Sequence, residues 1–171
     1  SVSGNIYYVS ESGSDSNDGL SELKPLKTLY GVSGLSLNAG DAVLFERGGI
    51  YRTSKKYTDG SSFILKSGVS YGAYGKGQKP VINGSFENYA ERKWRKYADN
   101  IWYISISNIS ADPGVLRVTT TKNYSYTGCV KESIDALARE WDFCRDGTNL
   151  YMYCQYGEPT NLLNAIEIGF G

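Results

Sequence analysis

Histidine is absent from this sequence, and that one gap removes the commonest general base, the imidazole metal ligand and every nucleophilic triad built on imidazole. Net charge is missing too, because eighteen basic side chains balance eighteen acidic ones. No global field then draws the chain to nucleic acid or to an anionic membrane. No apolar run approaches the length of a membrane span. Proline occurs four times and methionine once, whereas tyrosine occurs fifteen times and glycine twenty times. That bias belongs to β proteins with many corners, and 171 residues at 40% apolar content suffice for a buried core. The first residue, Ser1, fits both a mature secreted chain and a trimmed one.

The stretch around which the chain is organised runs from Gly40 to Arg52. Val43, Leu44 and Phe45 form an apolar run too continuous for a half-exposed strand and too short for a helix, and Gly48-Gly49 permits a sharp corner before Ile50 and Tyr51. This pattern predicts one rung of a stacked parallel sheet. Similar units follow at Phe63–Gly72 and Pro80–Gly84, and Ile6–Ser10 reads as a first strand. Pro25–Val32 places Leu26, Leu29 and Tyr30 at helical spacing behind a proline suited to a first turn, which predicts a short helix lying as a lid over the terminal rung. Between strand and helix, Ser12–Gly19 is a polar loop containing Asp15, Asn17 and Asp18. These side chains can form Asx turns with their own backbone or contribute to a calcium site, for which Glu22 is the only near closing carboxylate.

Taken in order, Tyr7-Tyr8-Val9-Ser10, the Ser12–Gly19 loop, Pro25–Leu29, Gly40–Phe45 with Gly48–Tyr51, and Tyr71–Gly75 with Lys79–Gly84 resemble the amino-terminal part of right-handed parallel β-helix proteins of the pectate-lyase-like superfamily. The resemblance implies a mainly β fold in which residues 1–85 form a cap and first coils. It also implies a secreted or cell-surface setting and a polysaccharide as partner. A reaction is not implied, since one fold hosts many sites. The lysine or arginine base and the acidic calcium cluster of a β-helix lyase have no counterpart in the matching motifs, so no catalytic residue is carried over.

From Phe86 the character changes. A charged stretch surrounds Trp94, and Ile101–Ile106 and Gly114–Val118 read as strands. Lys131–Arg139 holds Ile134, Leu137 and Ala138 at the spacing of a second short helix, and Trp141–Cys144 and Leu150–Cys154 flank Asp146-Gly147 as a hairpin. These signals read as antiparallel β structure, and the resemblance to β-helix proteins implies that residues 86–164 form an inserted β subdomain. Ala165–Phe170 alternates like the start of a further coil, residues 165–171, whose open edge would expose Ile166, Ile168 and Phe170 and invite a homo-oligomer through 165–170.

Chemistry is sparse along this chain. No pair of carboxylates stands out for glycosidic cleavage, and a thiol enzyme without histidine is a poor case. The hairpin is more informative, because period two places Tyr151 and Tyr153 opposite Leu150, Met152 and Cys154. With the aliphatic side inward, Tyr151 and Tyr153, joined by Tyr156, Tyr124 and Tyr126, would present a sugar-binding platform; the alternative is cross-strand aromatics that only stabilise the hairpin. Cys144 should face Tyr151, so a Cys144–Cys154 bridge is not directly cross-strand, Cys129 could pair with either, and free thiols fit equally well. Three functions follow: a non-catalytic extracellular module contacting polysaccharide through aromatics, a fragment of a polysaccharide lyase or glycoside hydrolase whose site lies beyond this chain, or a self-assembling structural subunit.

Overall fold

The computed structural model describes residues 2–54 and 63–170, and the chain divides into two compact units, Ser1–Asn83 and Gly84–Gly171. Both are mainly β. The first contains strands β1 (Ile6–Val9), β2 (Ala42–Glu46), β3 (Ile50–Arg52), β4 (Ser70–Tyr74) and β5 (Val81–Asn83), with one short helix, α1 (Leu29–Ser33). Among the described residues all its strand pairings are parallel: β1-β2-β4 form one sheet and β3-β5 another. Register aligns Tyr7, Val43 and Tyr71 in one row and Val9, Phe45 and Ala73 in the next. These rows face a core of Val9, Leu26, Leu29, Val32, Val43, Phe45 and Tyr51. The Phe63 unit begins pairing only at Ser70.

The outer edge of β1 is closed by the loop that follows it rather than by the helix. Tyr8 N donates to Gly19 O at 2.7 Å, Leu26 N to Tyr8 O at 2.9 Å, and Ser10 N to Leu26 O at 2.8 Å. The loop's own polar groups make this possible. Asp15 accepts from Lys27 N and Thr28 N, both at 2.9 Å, and from the Thr28 hydroxyl, while Thr28 Oγ1 caps α1 by accepting from Gly31 N at 3.1 Å. The helix buries Leu29 and Val32 and leaves Tyr30 40% exposed. Buried Asp41 ties the start of the unit to its centre, accepting from Asn5 N at 2.7 Å and Asn38 N at 2.8 Å. Below the Gly48-Gly49 corner lies the buried ring of Tyr51, whose hydroxyl donates to Val9 O and Glu46 O, each at 3.1 Å. A Cβ at Gly49 would stand 2.8 Å from that ring, so the corner requires glycine for close approach. Burial, reinforced by Tyr74 and Glu46, pushes the Tyr51 phenol up to about 12. Coverage thins at the last strand: Ile82 shares a register position with Tyr51 yet is 50% exposed.

The second unit is antiparallel throughout its sheets. Strands β6 (Arg95–Ala98), β7 (Ile101–Ser105), β10 (Phe143–Asp146) and β11 (Asn149–Tyr153) assemble in the order β10-β11-β7-β6. Strands β8 (Pro113–Thr120), β9 (Ser125–Thr127) and β12 (Leu163–Phe170) assemble in the order β12-β8-β9. Their shared core includes Trp94, Ile104, Leu116, Val118, Phe143, Leu150, Met152, Ile166 and Ile168. The predicted hairpin is β10–β11, with Cys144 opposite Tyr151, Asp146 opposite Asn149, and Gly147 at φ 56° in the turn. In place of a helix over 131–139 there is a single 3-10 turn, Ile134–Ala136, whose preceding Ser133 provides no side-chain cap. A second helix of four residues, α2 (Pro159–Leu162), precedes β12. Arg145 fastens the loop before β8, donating to Ile109 O at 2.8 Å, Ser110 O at 3.1 Å and Ala111 O at 2.7 Å.

Residues 165–170 differ from expectation. They lie within β12, which pairs antiparallel with β8, and Ile166 and Ile168 are fully buried in the core of their own unit. The alternation is a sound sign of a strand but carries no information about its partner or direction. The other edge of β12 is covered by side chains: Asn88 Oδ1 accepts from Ile166 N at 2.9 Å, Asn88 Nδ2 donates to Asn164 O at 2.9 Å, and Ser85 Oγ accepts from Ile168 N at 2.9 Å. An asparagine has both donor and acceptor and so imitates a paired strand. Asn88→Ala is expected to lower unfolding free energy by about 2 kcal/mol in urea denaturation, because it strands the Ile166 amide; a loss below about 0.5 kcal/mol would show that the edge is held otherwise.

Candidate functional site

The four-stranded sheet places its two faces in different surroundings. Leu150 and Met152 of β11, Ile104 of β7 and Phe143 of β10 face the main core. The alternate residues form a second, smaller cluster of Leu137, Cys144 and Tyr151, against which Ile101, Tyr103, Ile134 and Tyr153 pack. Register explains the grouping: Cys144, Tyr151, Tyr103 and Arg95 occupy one row across β10, β11, β7 and β6, and Tyr153 pairs with Ile101 in the next. Beside them, β6 is irregular between Lys96 and Ala98, and the Tyr97 ring lies on Tyr151. The Tyr97 and Tyr151 rings meet edge to face at 5.1 Å between centroids, and Tyr103 stacks on Tyr151 at 5.6 Å with an interplanar angle of 26°. Tyr97 is 55% exposed and Tyr151 only 7%.

The predicted tyrosines are thus partly brought together. Tyr151 and Tyr153 share the face expected of them, but Tyr151 is covered by Tyr97, Tyr103 and the Ile134–Leu137 segment instead of standing free. Tyr153 is half-buried, its hydroxyl accepting from Asn100 Nδ2 at 3.3 Å. Tyr156 is exposed in the turn after β11. Tyr126 lies on β9 of the other sheet and Tyr124 in the turn before it, so this pair does not join the Tyr151 face. Two members of the face, Tyr97 and Tyr103, escape a reading of the sequence. Tyr103 shares its face with Ile101 and alternates with Trp102 and Ile104, a visible signal, but its place beside Tyr151 depends on the non-sequential order of β11 and β7. Tyr97 sits in a charged stretch, and its place on Tyr151 depends on the folded strand order of β6, β7 and β11.

One end of this row is charged. Arg95 is exposed on β6 in register with Tyr103, and its guanidinium has no hydrogen-bond or ion-pair partner among the described residues. Its neighbour Lys96, directed to the opposite side by the pleat, is paired with Asp99 at 3.0 Å. At the other end the thiols are quiet. Burial pushes Cys144 up to about 11, and burial with the nearby Glu140 pushes Cys154 up to about 12, so neither is a thiolate nucleophile near neutrality. Cys144, Cys154 and the exposed Cys129 are all free thiols. Glu140 is itself raised above the ordinary carboxylate value by burial, with Oε2 accepting from Gln155 N at 2.8 Å. Next to it Trp141 takes φ 68°, a costly conformation for a bulky residue, while donating its amide to Tyr153 O at 3.0 Å.

The polar loop in the first unit uses its side chains internally. Asp15 holds Lys27 and Thr28, Asn17 Nδ2 donates to Pro25 O at 2.9 Å, and Asp18 accepts from Leu20 N at 3.0 Å. Among the described residues no group of three or more Asp, Glu, Cys or His side chains is placed to hold a metal ion.

No protein-family model matches the chain, and no curated protein matches it. Among solved structures it is similar to a complex of XylC with xylose, at TM-score 0.59 and 16% identity, over 96% of this chain and 31% of that one. It is also similar to a lacto-N-biosidase of GH136 from Eubacterium ramulus, at 31% identity over 74% of this chain and 17% of that one, with TM-score 0.38. A rhamnogalacturonan lyase matches at 26% identity over 47% of this chain and 22% of that one, with TM-score 0.36. The first likeness shows a shared β fold. The chain spans less than a third of the length of each of these proteins.

Two outcomes follow from the buried ends of the site. At pH 8 an aromatic disulfide reagent should label one of the three cysteines in the native protein, Cys129, and all three in denaturant; fast native labelling of Cys144 or Cys154 would contradict their burial. Because the folded protein holds the Glu140 proton more tightly than the unfolded chain does, its contribution to stability is lost as pH rises from the ordinary carboxylate value through the raised one. Glu140→Gln should therefore flatten the fall in melting temperature above about pH 4.5. An unchanged slope would assign that fall to other groups.

Proposed function

We propose that the chain is a non-catalytic carbohydrate-contacting module, secreted or at the cell surface, whose first unit opens a right-handed parallel β-helix and whose second unit meets polysaccharide through the tyrosine face of its four-stranded sheet. The observation that carries this reading is the contiguous Tyr97–Tyr151–Tyr103 ring cluster on the side of the sheet away from the main core, with Tyr97 exposed and Tyr151 locked beneath it. Rings held rigid in this way can cover the apolar face of a sugar with little loss of side-chain freedom, while phenol hydroxyls bond its edge. The parallel pairing of β1, β2 and β4 and of β3 and β5 supports the β-helix part, and the neighbours support the carbohydrate setting, since XylC is described with xylose.

A second reading, part of a polysaccharide lyase or glycoside hydrolase with its reacting groups outside these residues, draws on the small share of the XylC chain that this one spans. The two readings are compatible, because a module of an enzyme can hold its substrate.

The decisive experiment is affinity electrophoresis of the full chain through gels containing neutral and acidic plant and bacterial polysaccharides. Tyr97→Ala and Tyr103→Ala should each weaken retardation by about tenfold while circular dichroism stays unchanged. Retardation unaffected by both changes would remove the tyrosine face as the contact surface.

A further inference from the structure

Resting on the tyrosine-face reading, we infer that residues 131–140 are a hinged strap that gates the face, closing over Tyr151 and Cys144 and opening to lengthen the row of rings a ligand can cover. Among the described residues the strap is hydrogen-bonded to its surroundings at its two feet. At the first, Lys131 N donates to Phe143 O at 2.8 Å; at the second, Arg139 O accepts from Asp142 N at 2.9 Å and Glu140 Oε2 from Gln155 N at 2.8 Å. The backbone bonds between the feet, Ala136 N to Ser133 O and Leu137 N to Ile134 O, stay inside the strap. One carboxylate clasps both feet. Asp142 is 2% exposed, with Oδ1 3.5 Å from Lys131 Nζ and Oδ2 accepting from Ala138 N at 3.2 Å and Arg139 N at 3.0 Å.

The span between the feet holds on lightly. Leu137 is the one buried residue from 131 to 140, Ile134 packs beside it half-buried, and the single 3-10 turn has no side-chain cap. A segment with so little buried apolar surface opens at a smaller free energy than the whole unit unfolds. The closed position also carries two costs. Trp141, between the strap and its clasp, is held at φ 68°, and Glu140 Oε1 is buried without a hydrogen-bond partner among the described residues. Turning Trp141 to an ordinary φ swings the preceding residues off the sheet, relieves the strain and lets water reach that oxygen. Opening also uncovers Tyr151 and Cys144, which share one row with Tyr103. A ligand on Tyr103 that extends onto Tyr151 therefore binds the open form better, and its apparent affinity is reduced by the fraction of molecules that are closed.

Cys144, fully buried in the cluster with Leu137, reports the opening. The full chain is labelled for hours with an aromatic disulfide reagent, Cys144 is followed by mass spectrometry across low urea concentrations, and global unfolding is followed by circular dichroism. Cys144 should react well after Cys129, with a urea slope less than about half that of global unfolding, because a local opening exposes little surface. Leu137→Ala should speed Cys144 labelling at least about tenfold, and Asp142→Asn, which opens no cavity, gives the same test through the clasp. On any polysaccharide that retards the parent chain in affinity electrophoresis, each variant should tighten apparent binding by about the factor by which it speeds Cys144. A Cys144 slope equal to that of global unfolding overturns the strap. Faster labelling with unchanged or weaker retardation overturns the gate and leaves the tyrosine platform standing. Failure of every polysaccharide to retard the parent chain overturns the platform and the gate together.

Discussion

Small sheets are mostly edge, and the need to satisfy backbone groups at those edges governs both units of this chain. The sheets contain three, four, three and two strands, so a large share of their strands has a neighbour on one side only. Each exposed edge strand presents amides and carbonyls that must find water, a side chain or another stretch of backbone. In the first unit the loop after β1 bends back so that Gly19 and Leu26 complete its outer edge, and Asp15 holds that loop in place. In the second unit Asn88 and Ser85 perform the same task for β12 without any strand. The polar residues of the Ser12–Gly19 loop are explained by this constraint before any ligand is invoked.

The same constraint shapes the tyrosine face. Strand β11 is internal to its sheet, which leaves both of its faces to be filled by side chains rather than its edges by backbone. One face joins the large core. The other carries the smaller cluster of Leu137, Cys144 and Tyr151, and it is finished by tyrosines, whose rings shield Tyr151 while their hydroxyls remain compatible with water. The exposed Tyr97 ring stands edge to face on the buried Tyr151 ring, and Arg95 lies at the β6 end of the row.

Legibility from sequence followed the range of the interactions. The apolar strand at Val43–Phe45, the glycine corner before Tyr51 and the hairpin around Gly147 depend on neighbours a few residues away, and each stands where its residues predicted. The partner of β12 could not be read, because Ile166 and Ile168 alternate identically whether the adjoining strand is parallel or antiparallel. The helix expected at Lys131–Arg139 shrank to one turn: Leu137 is drawn onto Cys144 and Tyr151, and tertiary burial outweighed the weak helical spacing. Tyr151 and Tyr153 were legible as one face, but Tyr97 and Tyr103 were not attached to it, since β7 comes beside β11 only through the folded strand order. Tyr124 and Tyr126 were grouped with them by composition and belong to another sheet.

The strand pairings also set the order in which the chain can assemble. The β10–β11 hairpin closes across a two-residue turn, an event of microseconds, whereas β1 cannot meet β2 until the intervening loop and α1 have been gathered in. The second unit carries the same burden beyond its hairpin, since β7 must meet β11 and β8 must meet β12 across still longer stretches of chain. Asp15, by binding Lys27 and Thr28 to its own loop, shortens the effective distance that β1 and β2 must close, and so acts on folding rate as much as on the finished structure.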